Sequence, residues 1–578
     1  MTARDPLATV RDYHNQTKHH FNRFARSLGY LDWATQPEPF RSFGGSRRID
    51  LVAPLQSAER GAAGGQGPWL DVAYDDLFGQ APAGPVLPPG LPAVSVFLRY
   101  SLGLSAWKQA GPSRWALRVN PSSGNLHPTE SYIVCGPGVA GDGAGVYHYA
   151  PDAHALEERC VFDGEAWRAA AAGAPDGSFL AALTSIHWRE AWKYGERAFR
   201  YCQHDIGHAA AAMRVAAAMM GWTCEVLPAW TAGGVASMVG ADRHSDFEGA
   251  EPEEPACVML VAPGGHGAPR GSATERAQVD VSVAGAAARG AWSGRASRLS
   301  GDRVQWDWID AVASASRESA TATALPAAVR PTPPAVPRAA GIPAARLLLQ
   351  RRSAVSMDGA TAMGLERFAA LLRRLSPGAG PPFDAFPWTP RIHLALFIHR
   401  VDGLQPGFYA LPRTEAGAAL MRGALSQDFV WVRPPGVPDE VPLYLLAHAD
   451  CRRIARQLSC GQDIAADGCF SLGMLAEFDA ALAEGGPAAY RRLFWEAGAV
   501  GQALYLEAEA AGVRGTGIGC FFDDGVHELL GIRGQVLQSL YHFTVGVSVE
   551  DTRLTSQPGY PWELGPGTNS QEAALDEK

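Results

Sequence analysis

Several residue groups in this chain have types and spacings that chemistry uses. Lys193-Tyr194, inside Trp192-Lys-Tyr-Gly-Glu196, sets a primary amine beside a phenol. A desolvated lysine, or a tyrosine polarised by one, can take a proton from a reacting C–H group. A helix-entry lysine on the surface beside a packed tyrosine is the alternative. His204-Asp-Ile-Gly-His208 puts two imidazoles on one helix face, as a zinc-protease His-Glu-x-x-His does. Aspartate replaces the glutamate there and a glycine sits inside, so structural histidines are expected. Cys451, Cys460 and Cys469 recur every nine residues, about two and a half helical turns, so neighbours would face opposite ways. Incidental buried thiols, and no metal site, are the expectation. Gly515-Thr-Gly-Ile-Gly519 follows a helix rather than a first strand, which excludes a Rossmann dinucleotide turn.

The elements that must position these groups belong to a chain of 578 residues. At roughly 150 residues per domain, that length implies two or more domains. A net charge of −9 argues against a nucleic-acid partner, which needs a concentrated basic face. Hydrophobic residues make up 47 % and charged residues 19 %, which excludes global disorder. The start lacks the apolar core of a signal peptide, and no apolar run reaches the ~18 residues of a membrane helix. Nine cysteines, an odd number without a Cys-x-x-Cys pair, fit reduced thiols in the cytoplasm.

Low complexity and repeated proline over about 314–342 mark an extended linker, and the two halves it separates resemble each other. Arg99-Tyr-Ser101 has a counterpart in Arg351-Arg-Ser353, and Gly145-Val-Tyr147 in Gly407-Phe-Tyr409. Asp205-Ile-Gly207 opens an alanine-rich helix that stops at Gly221, and Glu496-Ala-Gly498 opens one that stops at Gly512. Met238-Val-Gly240 matches Leu529-Leu-Gly531, and these last three pairs share one offset of 291. Each half reads as helix, strand, strand, long helix, strand, an α+β layering. The long helices are expected at 199–221 and 490–511.

Arg118-Val-Asn-Pro-Ser-Ser-Gly-Asn-Leu-His-Pro128 resembles the flavin-contacting loop of the nitroreductase-like FMN oxidoreductases. With Trp192–Tyr201, Gly517-Ile-Gly-Cys-Phe-Phe-Asp523 and Asp551-Thr-Arg-Leu554, the chain is similar to their SagB-type dehydrogenase branch. The resemblance covers about 90–260 and 343–555. It implies two nitroreductase-like domains forming an internal pseudo-dimer. The expected division is a leader or possible lid at 1–90, a first domain at 91–265, a connecting segment and Pro/Ala-rich linker at 266–342, a second domain at 343–560 and a flexible tail at 561–578.

Family members are usually homodimers holding FMN between subunits, and here the halves have lost opposite parts. The first half keeps Pro121-Ser-Ser-Gly-Asn125, where the second has Phe386-Pro-Trp-Thr-Pro390. The second keeps Arg351-Arg-Ser353, Gly517-Ile-Gly519 and Arg553, where the first has Arg99-Tyr-Ser101 and Cys224–Leu227. The resemblance therefore implies one composite FMN site per chain and one defunct site. In it, Arg351, Arg352, Ser353 and Arg553 hold the phosphate, though the family's next basic position is Val355 here. Amides near Gly519 and Cys520 face the flavin N5, with Cys520 a small residue beside the ring rather than a nucleophile. Pro121, Ser122, Ser123 and Asn125 close the site from the opposite half. Lys193 and Tyr194 are the acid/base candidates; the second half has Glu484 and Gly485 at the 291 offset.

The leading expectation is an FMN-dependent dehydrogenase or oxidase of a small molecule or peptide-derived heterocycle. An NAD(P)H-driven nitro or quinone reductase and a flavin-free scaffold of a biosynthetic cluster are the alternatives. NAD(P)H or O2 are the candidate redox partners, and nucleic acid and membrane are not expected. The pseudo-dimer is expected to be a monomer.

Overall fold

A computed structural model describes residues 5–60, 66–79, 84–264, 278–317, 341–378 and 380–563. Each half is an antiparallel sheet packed on one long helix. In the first half the strand order is Ala155–Phe162, Ala144–Ala150, Thr129–Cys135, Phe179–Ser185, Glu254–Pro263, Trp222–Val226. In the second it is Tyr444–His448, Gly407–Leu411, Ile392–Ile398, Phe470–Glu477, Leu537–Gly546, Arg514–Ile518. Taken in chain order, the two series occupy the same six positions, and every neighbouring pair is antiparallel. The chain is thus an α+β pair of like domains.

The helices Ala198–Met219 and Ala489–Ala510 form because alanine, the strongest helix former, is the commonest residue in both, and each ends at a left-handed glycine, Gly221 and Gly512, both with φ of 74°. They pack on each other at the centre of the molecule, where Gly207 and Gly498 meet. A Cβ on Gly207 would lie 2.2 Å from the Trp495 carbonyl oxygen, and one on Gly498 would lie 2.2 Å from that of His204. Trp495 and His204 are themselves 291 residues apart, so the contact is reciprocal, as at a two-fold interface. The main hydrophobic core runs across this interface, and smaller clusters lie under the outer faces of the two sheets.

Segments outside the two domains bind the halves together. Residues 5–60 are built into both: Pro6–Gln16 is a helix whose His14 contacts Tyr490 and Gln538 in the second half. Arg47–Asp50 adds an edge strand to the first sheet. From the other end, Thr555–Gln557 pairs with Leu104–Ala110 of the first half. Part of the expected connecting segment is regular structure: Ser282–Ala288 and Asp307–Ala315 are helices, and Arg491 of the second half binds the carbonyl of Ala313 and the hydroxyl of Ser316. Most of the proline-rich stretch and residues 564–578 of the expected tail lie outside the described residues.

Candidate active site

A cavity of ≈ 410 Å³ opens between the halves. One wall is the Asn120–Asn125 turn of the first domain; the other is Arg351–Val355, Thr516–Cys520 and residues 548–551 of the second. Tyr194, Tyr201 and His208 line it from the first-domain helices, and Tyr505 and Tyr541 from the second domain. The structure therefore brings Pro121, Ser122, Ser123, Asn125, Tyr194, Arg351, Arg352, Ser353, Gly519 and Cys520 to one place from positions up to 399 residues apart.

The turn is fixed by a carboxylate beneath it. Asp205 accepts from the Ser122 hydroxyl at 2.7 Å, the Ser123 amide at 3.1 Å and the Ser123 hydroxyl at 3.1 Å. Asn125 donates to the Ala116 carbonyl at 2.9 Å. Both serine hydroxyls and the Asn125 amide thus hold the loop in shape. The backbone passes through the left-handed region at Gly124, Asn125 and His127, so the loop is a built conformation rather than a relaxed turn. Burial pushes Asp205 up to about 7, against the lowering effect of the Ser122 and Ser123 hydrogen bonds. Glu190 is also buried, with no hydrogen-bond partner on either oxygen; burial and then the nearby Asp205 raise its pKa well above the usual range.

Tyr194 sits against the loop: a Cβ on Gly124 would meet its hydroxyl at 2.5 Å and the Lys193 ammonium at 3.2 Å. Lys193 is exposed and does not itself line the cavity. The Tyr194 and Tyr201 rings lie 4.5 Å apart, and Tyr201 donates to the Gly519 carbonyl at 3.0 Å. Burial keeps the Tyr194 phenol protonated, its pKa raised well above the usual value.

The far end of the cavity is cationic, with Lys108, Arg351, Arg352 and Arg514 around it. Arg351 donates to the Val119 and Arg118 carbonyls at 3.0 and 3.1 Å, leaving its buried Nη1 without a partner. Burial and then the neighbouring Arg351 lower the pKa of Arg352 to about 10. Ser353 donates to Tyr505 at 3.0 Å. The glycines of Gly517-Ile-Gly519 are required by space: added Cβ atoms would lie 1.9 Å from the Tyr541 hydroxyl and 2.2 Å from the Tyr201 ring. Arg553, like Lys193, is a predicted residue that does not line the cavity; it is exposed and paired with Asp551.

The pseudo-symmetric position is closed. The turn Phe383–Ala385 packs directly on the strand Trp222–Val226, and Asp384 there forms a buried ion pair with Arg214 at 2.8 Å. Among the described residues, a recess of ≈ 40 Å³ lies beside Trp388, Glu484 and Gly485. Arg99, the counterpart of Arg351, is taken up by Glu563 and the Leu104 carbonyl and lies over the Tyr560 ring. Glu496, the counterpart of Asp205, accepts from the Arg391 amide and from Arg413.

Residues 439–547 match the sequence model of the Nitroreductase family. The chain carries a nitroreductase-family segment. It is similar in fold to a putative nitroreductase from Anabaena variabilis, with a TM-score of 0.67 and 21 % identity over 94 % of this chain and 99 % of that one. A putative nitroreductase from Ralstonia eutropha aligns at a TM-score of 0.27 and 16 % identity, over 40 % of this chain and 99 % of its own. The Escherichia coli microcin synthetase McbBCD complex, with truncated pro-MccB17 bound, aligns at 0.25 and 18 % identity, over 44 % and 92 %. Comparison with curated proteins found no match.

Within this nitroreductase fold, sequence reasoning missed Asp205 as the anchor of the loop, having used it only as a landmark of the duplication and as the aspartate of the His204–His208 motif. It also missed Glu190, Lys108 and Arg514. Asp205 had one usable signal: a carboxylate opens the equivalent turn of both long helices, Asp205 in one and Glu496 in the other. No described helix is long and apolar enough to cross a membrane, and no group of three metal-ligating side chains occurs among the described residues.

Proposed function

We propose that the chain is an FMN-dependent oxidoreductase of the SagB dehydrogenase type, acting on a small molecule or a peptide-derived heterocycle at one composite site. The observation that carries this reading is the cavity itself. It has a cationic end, a backbone wall where two glycines are needed, and a rigid turn brought by the other half.

The residues present suit FMN. The unpartnered Nη1 of Arg351, with Arg352 and Ser353, would hold the phosphate through charge-assisted contacts. The backbone of Gly517–Cys520 would lie along the ring, and the Pro121–Asn125 turn would cover it from the opposite side. When bound, FMN supplies the two-electron hydride chemistry. The chain's own part is to orient the substrate and manage one proton. Tyr194 carries that proton on Oη at the cavity wall, and Lys193, 5.3 Å from its ring centre, supplies positive charge beside it. Asp205 keeps the Ser122–Ser123 turn pressed towards Tyr194, which excludes water from that face. NAD(P)H or O2 would complete the redox cycle.

Flavin absorbance against protein mass tests the reading. One FMN per chain, with a rise in Tm on adding FMN, is expected. Colourless protein with an unchanged Tm would favour a scaffold, and two FMN per chain would refute the single composite site. Rapid bleaching of the flavin by NAD(P)H without oxygen would assign the reductase direction instead.

A further inference from the structure

At the edge of the cavity the sulfurs of Cys460 and Cys520 lie 2.7 Å apart and share a hydrogen bond. A disulfide bond is about 2.05 Å long, so joining them takes a movement of under ~1 Å. The other seven cysteines are buried, whereas these two are partly exposed. Two hydrogen bonds clamp the segments that carry them: the Phe522 amide to the Leu458 carbonyl at 2.8 Å, and Gln462 Nε2 to the Cys520 carbonyl at 3.2 Å. Cys460 has φ of 55° just past the helix Arg452–Leu458, a conformation that glycine or asparagine usually fills. A β-carbon held there against that preference marks a side chain that must point where it does.

The surroundings favour a thiolate. His19, from the N-terminal segment, accepts the Ala25 amide on Nδ1 at 2.9 Å and hydrogen-bonds Cys520. The hydrogen bond to Cys460, then His19 and the Arg197 charge, lower the Cys520 thiol although burial opposes it. Cys460 is pushed up by the same shared hydrogen bond and by burial. One sulfur is thus a nucleophile and the other a resolving thiol.

We propose that Cys460 and Cys520 form a dithiol–disulfide redox site whose substrates are small organic disulfides, reached through the cavity. The Cys520 thiolate attacks one sulfur of R–S–S–R, forming Cys520–S–S–R and releasing RS⁻. Cys460 then loses its proton and attacks the Cys520 sulfur, forming the Cys460–Cys520 bond and releasing the second RS⁻. The protein dithiol is oxidised by two electrons and the small disulfide is reduced to two thiols, one taking up the Cys460 proton and the other a proton from water. Neither step involves flavin, so the site stands whether or not FMN is the cofactor.

The test uses the full chain as purified, reduced, then exposed to oxidised glutathione and alkylated. Two thiols are expected to disappear, with a dithiothreitol-reversible link between the Cys460 and Cys520 peptides by mass spectrometry. Cys460→Ser is expected to stop at a glutathione adduct on Cys520. Alkylation of Cys520 in the reduced wild-type chain should have its pH midpoint well below the ordinary thiol value. No link in the wild-type chain, or a midpoint at the ordinary thiol value of about 8.5, would overturn the proposal without use of any variant.

Discussion

Asp205 and Glu496 occupy the same turn of the two central helices, yet only Asp205 holds a loop that lines the open cavity. Asp205→Ala removes the acceptor for three hydrogen bonds from the Ser122–Ser123 turn. Above pH 7, where Asp205 is ionised, bonds to this charged acceptor contribute about 1.5–3 kcal/mol each. They share one carboxylate and are not additive, so we take about 3 kcal/mol for holding the turn in place. If the turn must be ordered to cover the flavin, Kd for FMN rises about a hundredfold. Overall stability should change less, because burying Asp205 already opposes its ionisation. Glu496→Ala is the matched control. It strips acceptors from the Arg391 amide and from Arg413, so it should lower Tm but leave FMN affinity within about threefold, roughly 0.7 kcal/mol. Fluorescence titration of FMN into both variants, with Tm alongside, makes the comparison. Equal losses of affinity in two folded variants would refute both the loop's role and the asymmetry of the sites.

Two further outcomes follow from the same geometry. The native pKa of Asp205, about 7, lies above that of an unfolded aspartate, so the native state holds an extra proton between about pH 4 and 7 and loses stability as pH rises through that window. Relative to Asp205→Asn, with Glu190 present in both, wild-type stability should fall by up to about 4 kcal/mol across it; a flat difference in urea unfolding would contradict this. Gly519→Ala places a methyl group 2.2 Å from the Tyr201 ring and should abolish flavin retention in a folded chain. A full flavin-to-protein absorbance ratio would rule that out.

The duplication was legible because glycines that end or cross helices cannot drift freely: Gly207, Gly221 and Gly240 each have a partner at one offset. Proximity across the interface was not legible by itself. The clustering of Ser122 with Arg351 was expected from resemblance, but the support beneath it was hidden. Asp205 lies 83 residues from Ser122, and His19 lies 501 residues from Cys520. Such pairings leave no local periodicity to read. The nine-residue spacing of Cys451, Cys460 and Cys469 invites reading the three together as incidental buried thiols, whereas the partner of Cys460 is Cys520 on another segment. Residues 278–317 looked like connecting chain because alanine and glycine suit both short helices and loops.

The reciprocal glycine contact has a consequence for how such a chain can change. In a symmetric dimer every substitution is written twice, so a wall that suits one pocket must also be tolerated in the other. Here the Gly207–Gly498 crossing preserves the old axis while the sequences on either side are inherited separately. Each wall of the cavity can therefore vary alone, and at the closed position Arg99 instead anchors Glu563.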